Sequence, residues 1–298
     1  MISIRRTNAP LGAEIQGIDL TGELDDAILA AIVDAWHEHE VIFFRGQTLS
    51  PEQHVCLSRR LGELELHVRS EFAKPGHPEI FVVSNMLENG KPIGASDAGA
   101  TWHSDSCCRR EPSSGSLLYA RQVPRRDGKM LGDTLFSSMT AAYEALPDEM
   151  KMRLRGLRCV KSIDNGYTRV RRNVLDENQR SRVPGHGADV EHPVVRVHPH
   201  TGRKCIYVNE SYTTHIVGLS ADDSRALLDI LTAHVTQPQF VYRHNWQVGD
   251  LLMWDNCSTQ HKAMFDYAPL HRLMERTTLQ GLLPLSDVEH EPAMAGQV

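Results

Sequence analysis

The sequence predicts a mainly β fold, a sandwich or barrel of antiparallel-type strands with helices packed around it. Two observations carry this expectation. Short apolar runs of strand length recur along the chain, bounded by Gly, Pro, Asn and Asp. Only a few segments have apolar residues at helical spacing, and these lie between and around the strands. With 298 residues, the chain is long enough to bury a substantial core. It shows no internal repeat, low-complexity tract or linker, so one domain over 1–298 is expected.

Residues 25–40 carry Ile28, Leu29, Ile32, Val33 and Trp36 on one helical face, and "VIFFRG" after them suits a buried strand ended by glycine. "SPEQHVCLSRRLG" opens a second helix: Ser50 is its N-cap, Pro51 its first position, and Gln53 completes a capping box. Gly62 stops it. Residues 79–85 form a strand, and the glycine-rich, polar stretch 86–101 reads as a loop and a candidate lid. A helix over 139–157 is interrupted at Pro147. Residues 165–192 are arginine-rich without a clear period; a solvated, mobile excursion and a lid over an anionic ligand both fit. Residues 193–209 read as a hairpin turning at His200, Thr201 and Gly202. An amphipathic helix starts at Ser220. Two strands then meet near Gly249 and Asp250, and a final strand follows around 271–283.

Composition excludes several classes. Hydrophobic residues are 41% and charged residues 23% of the chain, which is ordinary globular composition. A formal charge of -6 gives no global attraction to nucleic acid or to anionic membranes. No apolar run approaches the roughly 20 residues needed to span a bilayer, and the N-terminus lacks an apolar signal core. The six cysteines form no CxxC pair, so a zinc ribbon is not indicated. They read as reduced thiols of a cytoplasmic protein.

The chemistry concentrates in two segments. In "GATWHSDSCCRREP" (99–112), His103 and Asp105 stand two positions apart. On a strand such residues share a face and can share an ion, although the same pair also occurs as plain surface polarity. In "GDLLMWDNCSTQHKAMFDYAPLHRLMERTTLQG" (249–281), His261 follows a short loop. On the last strand Arg272, Met274, Arg276 and Thr278 share one face. Two arginines on that face are either solvated or placed to bind anions. Two histidines and a carboxylate on one face of iron(II) leave positions open for substrates and oxygen.

These blocks, together with "GAEIQGIDL", "VIFFRGQTLSPEQHVCLSRRLGEL" and "GDTLFSSMTAAYEALP", resemble in order and spacing the taurine dioxygenase and 2,4-dichlorophenoxyacetate dioxygenase family. Its members are iron(II)- and 2-oxoglutarate-dependent oxygenases. The resemblance covers nearly the whole chain and implies a double-stranded β-helix (jelly-roll) core. It further implies that His103, Asp105 and His261 are the iron ligands, and that Thr134 and Arg272 bind the distal carboxylate of 2-oxoglutarate. Arg276 and His67 correspond to residues that contact the anionic group of the substrate. Two departures, Gly99 and Ser70, stand where the taurine enzyme has asparagine and tyrosine, and they leave room for a larger substrate body.

The implied activity is hydroxylation of a small organic anion, carboxylate or sulfonate and including aryloxyalkanoates, using Fe(2+), 2-oxoglutarate and O2. Succinate and CO2 are released, and the product can collapse with C–O or C–S cleavage. Taurine, alkylsulfonate or alkyl sulfate oxidation is the alternative within the family. A zinc hydrolase would have no use for Thr134 and Arg272, and a non-catalytic module would have lost a ligand. The implied partner is a small anionic molecule, with no nucleic acid and no membrane, in a homo-oligomer.

Overall fold

The structure is a computed structural model that describes residues 2–163 and 189–289. Its largest sheet has eight strands in the order Ser3–Arg6, Ala13–Gln16, Val41–Phe44, Leu251–Asp255, Gly115–Gln122, Leu273–Leu279, His77–Ser84 and Ala73–Lys74. Neighbours run antiparallel except Ala13–Gln16 beside Val41–Phe44, which is parallel. A second sheet places Thr134–Ser138 between Val241–His244 and Thr259–Ala263. Two further three-stranded sheets extend the layers: one centres on Arg158–Lys161, the other on Val195–Val197. This β core surrounded by helices is the expected jelly-roll architecture.

Period-two alternation explains how the large sheet is covered on both faces. Leu117, Tyr119, Leu251, Met253 and Leu279 pack with Ile32, Trp36 and Leu57 of the helices. Leu118, Ala120, Leu252, Trp254 and Met274 instead meet Phe136 and Tyr242 of the second sheet. A sheet covered on both faces reads as near-continuous apolar runs, as 41–44 and 251–254 do.

The helices start where their caps predict. Asp25 caps Asp26–His39 through the amide of Ile28. Ser50 and Gln53 close the capping box of Pro51–Leu61, and Ser220 caps Ala221–Val235. Pro147 separates Met139–Glu144 from Asp148–Leu154. None of the described helices is long and apolar enough to cross a membrane.

Two expectations need correction. Within the loop expected at 86–101, Leu87–Glu88 pairs with Lys91–Pro92. Asn89 and Gly90 between them both have positive φ, as a type I′ turn requires. Residues 165–188 of the expected excursion lie outside the described residues. The end of that stretch is not irregular, because Val190–Pro193 pairs with Arg158–Lys161.

Gly115 joins sheet to helix. A Cβ added there would lie 2.2 Å from Cζ2 of Trp36, a buried ring 4% exposed. Gly115→Ala is therefore expected to cost about 1–3 kcal/mol through overpacking. A urea titration should show a lower midpoint with an unchanged slope. An unchanged midpoint would mean that Trp36 shifts freely and does not fix the helix on the sheet.

Candidate functional site

The two histidines meet through a single antiparallel bridge. The His103 amide donates to the His261 carbonyl at 3.1 Å, and the His261 amide returns a bond at 2.8 Å. Their rings lie 4.2 Å apart. His261 follows the short turn at 256–258 as expected, and within the strand Thr259–Ala263 it is placed by pairing with Phe136. Beyond His103 the ladder stops. The Ser104 hydroxyl takes the Thr259 carbonyl, and the Asp105 amide turns to Asn256 Oδ1. The expected i, i+2 strand geometry is thus replaced by a turn, in which Ser106 has φ 52. Asp105 still converges on the histidines: one ligand atom from each of the three lies within 4.8 Å of the others.

The carboxylate is held from several sides. Asp105 Oδ2 accepts from Ser116 Oγ at 2.7 Å, and Oδ1 accepts from Arg276 Nη1 at 2.8 Å. Asn256 supports both neighbours, accepting from the Asp105 amide and donating to Ser116 Oγ. Burial alone would raise the Asp105 carboxyl, but the Arg276 guanidinium, helped by the hydrogen bond from Ser116, holds it well below the usual carboxylate range. Burial also pushes His103 and His261 below the ordinary histidine value. Neutral imidazoles beside an ionised carboxylate are the forms a divalent metal requires.

Sequence reasoning missed Glu65. This buried carboxylate accepts from Ser106 Oγ, Arg109 Nη1 and Ser113 Oγ, and its amide bonds the Thr278 carbonyl. It ties the loop carrying Asp105 to the strand carrying Arg276. No local signal marks it, since all of these partners are distant in sequence.

The other expected residues line the same cavity. Arg272, Thr134, Arg276 and His67 face it together with His103, Asp105 and His261. Arg272 is 4% exposed and its Nε has no hydrogen-bond partner among the described residues. Gly132 makes space for it: a Cβ there would lie 2.9 Å from Arg272 Nε. The Thr134 hydroxyl oxygen accepts from Trp246 Nε1 at 3.0 Å, which leaves its own O–H free to donate. His67 stacks on Phe81 with centroids 3.7 Å apart, and the Arg276 guanidinium carbon lies 5.2 Å from that ring's centroid. Gly99 lines the cavity with φ +85. Ser70, in contrast, is exposed in the turn Ser70–Phe72 and off the cavity wall, so only Gly99 contributes room. Cys108 also lines the wall, with its thiol pushed up to about 12 by burial. All six cysteines are free.

A second His–His–Asp group, His37, His198 and Asp255, also converges, but its hydrogen bonds differ in kind. The amides of His200 and Thr201 donate to His198 Nδ1 at 3.2 and 3.1 Å. Its Nε2 therefore carries the proton, donated to Asp255 Oδ2 at 2.7 Å. Asp255 Oδ1 accepts from the amides of Cys257 and Ser258. At His103 the polarity is opposite: Nδ1 donates to the Thr101 carbonyl at 2.8 Å. That leaves the Nε2 lone pair directed toward Asp105, 3.8 Å away.

Comparison with known proteins agrees with this geometry. A family model described as "Taurine catabolism dioxygenase TauD, TfdA family" matches residues 3–278. Pentalenolactone F synthase of Streptomyces arenae is 39% identical over 87% of this chain and 89% of its own. A 2,4-dichlorophenoxyacetate dioxygenase of Cupriavidus pinatubonensis is 34% identical over 90% and 94%. The solved structure of a putative α-ketoglutarate-dependent taurine dioxygenase from Burkholderia xenovorans superimposes with a TM-score of 0.80 at 34% identity, covering 97% of this chain and 93% of that one. The chain belongs to the taurine dioxygenase and TfdA family, and is a non-haem iron(II)- and 2-oxoglutarate-dependent dioxygenase acting on a small organic anion.

Proposed function

We propose that His103, Asp105 and His261 hold the iron(II) of this dioxygenase. In the same reading Arg272 and Thr134 bind the distal carboxylate of 2-oxoglutarate. The observation that carries the reading is the His103 Nδ1 bond to the Thr101 carbonyl. A ligating histidine ordinarily donates its other N–H to such an acceptor, whereas His198 would have to lose two amide bonds to do so. At His261, in contrast, the buried Nδ1 has no hydrogen-bond partner among the described residues. When bound, iron(II) and 2-oxoglutarate supply the oxidising power, coupling decarboxylation to succinate and CO2 with transfer of one oxygen atom from O2 to a C–H bond.

The chain supplies binding and aim. The Arg272 guanidinium is buried and forms no ion pair with a described carboxylate, so an incoming carboxylate gains a planar, charge-assisted fork. The Thr134 hydroxyl donates to the same group. Arg276 and His67 line the same cavity and offer donors to the anionic end of the substrate. Because Arg276 is paired with Asp105, a substrate anion draws on a guanidinium already oriented by the metal site. Phe81, Val83 and Leu118 add apolar wall, and Gly99 adds room. We read the preferred substrate as a carboxylate or sulfonate with a bulky or aromatic body, such as an aryloxyalkanoate. Taurine, an alkylsulfonate or an alkyl sulfate is the second reading, since Arg276 and His67 offer donors that suit sulfonate oxygens as well as a carboxylate.

Iron binding discriminates the two His–His–Asp groups. Under anaerobic conditions Asp105→Ala should lower iron(II) affinity at least tenfold or so, while His37→Gln should leave it unchanged. The opposite pattern in equilibrium dialysis would move the metal to Asp255.

Arg272→Ala removes a buried, charge-assisted partner, a loss of about 2–5 kcal/mol. The half-saturating concentration of 2-oxoglutarate should rise tenfold or more in a succinate-release assay. No change would assign the distal carboxylate to another cation.

Competition between taurine and an aryloxyalkanoate tests the substrate reading. The aryloxyalkanoate should be turned over preferentially, and Arg276→Leu should weaken its binding by roughly tenfold or more. Preference for taurine would defeat the size argument, and unaltered binding by Arg276→Leu would place the anion elsewhere.

A further inference from the structure

Two basic side chains unused by this chemistry lie in the interior. Lys161 ends the strand Arg158–Lys161, Arg196 is the middle residue of Val195–Val197, and Tyr207 follows Lys204–Ile206. They are 0%, 2% and 3% exposed. Lys161 Nζ sits 3.5 Å from the Tyr207 ring centroid, and the Arg196 guanidinium carbon lies 4.6 Å from it. Among the described residues, Lys161 Nζ, Arg196 Nε and Nη1, and the Tyr207 hydroxyl all lack a hydrogen-bond partner. Buried polar groups are normally satisfied, and buried charges are normally paired.

The neighbours do not supply the missing negative charge. Among the described residues no carboxylate pairs with either cation. Asp255, whose field reaches Arg196, is committed to His198 and to the amides of Cys257 and Ser258. Burial pushes the Cys159 thiol up to about 11 and Cys257 to about 12, and raises Cys205 and the Tyr207 hydroxyl as well. These weak acids therefore stay neutral at neutral pH. His192, whose ring centroid is 5.7 Å from that of Tyr207, is driven down to about 3, first by burial and then by the field of Lys161. It is neutral too. The face of the Tyr207 ring offsets part of the charge, yet two cations remain with free donors.

We infer that Lys161, Arg196 and the Tyr207 hydroxyl form a buried site for a halide-sized monovalent anion, separate from the proposed iron centre. The free donors are an ammonium, a guanidinium edge and a phenol, and a single-atom anion accepts from all three without directional demands. Cys159, His192 and Cys205, enclosing side chains among the described residues, are at most 1% exposed, which favours a single-atom anion over an organic acid. A water molecule would satisfy donors but not charge.

An anion that binds only the folded chain stabilises it by mass action. Replacing gluconate with bromide at constant ionic strength should raise the thermal midpoint of the full-length protein. Each tenfold increase in bromide should add about 3 °C. Lys161→Met, similar in length and uncharged, should abolish that dependence, as should Tyr207→Phe in part. Diffraction from bromide-grown crystals at the bromine edge should show an anomalous peak between Lys161 Nζ and the Arg196 guanidinium, which tests the site even if Lys161→Met does not fold. A midpoint indifferent to halide, or a peak absent from that position, overturns the proposal.

Discussion

The site depends on one antiparallel bridge, the pair of amide–carbonyl bonds between His103 and His261. It brings together two segments far apart in sequence, and it fixes both backbones before any side chain is considered. Thr259–Ala263 is itself held by Thr134–Ser138, the strand that carries Thr134. One β layer therefore positions a histidine of the proposed iron centre, the other histidine through the bridge, and a hydroxyl for 2-oxoglutarate. A single unpaired bridge is weak in isolation. It persists here because the Ser104 hydroxyl and Asn256 catch the chain on leaving it.

The opposite wall comes from the large sheet. Alternation along Leu273–Leu279 sends Arg276 inward while Glu275 and Thr277 face the helix side. There Glu275 pairs with Arg121 and Lys74, and the Thr277 hydroxyl lies 2.7 Å from that of Ser58. Arg276 then reaches across to Asp105, so the two layers are joined through the carboxylate of the proposed metal site. Glu65 spans the same gap from outside, bonding the Asp105 loop and the Thr278 carbonyl. A change at Glu65 is thus transmitted to ligand placement without contact with substrate.

How legible this was depended on the range of each interaction. Capping residues such as Asp25, Ser50, Gln53 and Ser220 act within one turn, and the sequence states them outright. The Asn89–Gly90 turn was equally local but hidden in a stretch whose glycine content read as loop. Convergence of His103, Asp105 and His261 was not legible from spacing, since His-x-Asp occurs widely; agreement of several blocks with a known family brought the three together. That agreement did not reveal the turn at Asp105, the Asn256 clamp or Glu65, because each rests on side-chain bonds between distant segments. The room attributed to Ser70 failed for the same reason, as its exposure is a tertiary property.

Two His–His–Asp groups converge in one chain, and the proposed assignment of the metal to one of them rests on more than proximity of ligand types. The direction of the hydrogen bond at the far imidazole nitrogen separates them. A carbonyl at His103 Nδ1 fixes the proton there and exposes the Nε2 lone pair toward Asp105. Two amides at His198 Nδ1 do the reverse, so the facing nitrogen arrives already protonated and spends its proton on Asp255. The second group consequently acts as a clamp: Asp255 binds a histidine on one oxygen and the turn at Cys257 and Ser258 on the other. That turn leads directly into Thr259–Ala263. The clamp therefore holds the strand on which His261 stands, and keeps that histidine of the proposed iron centre in register with His103.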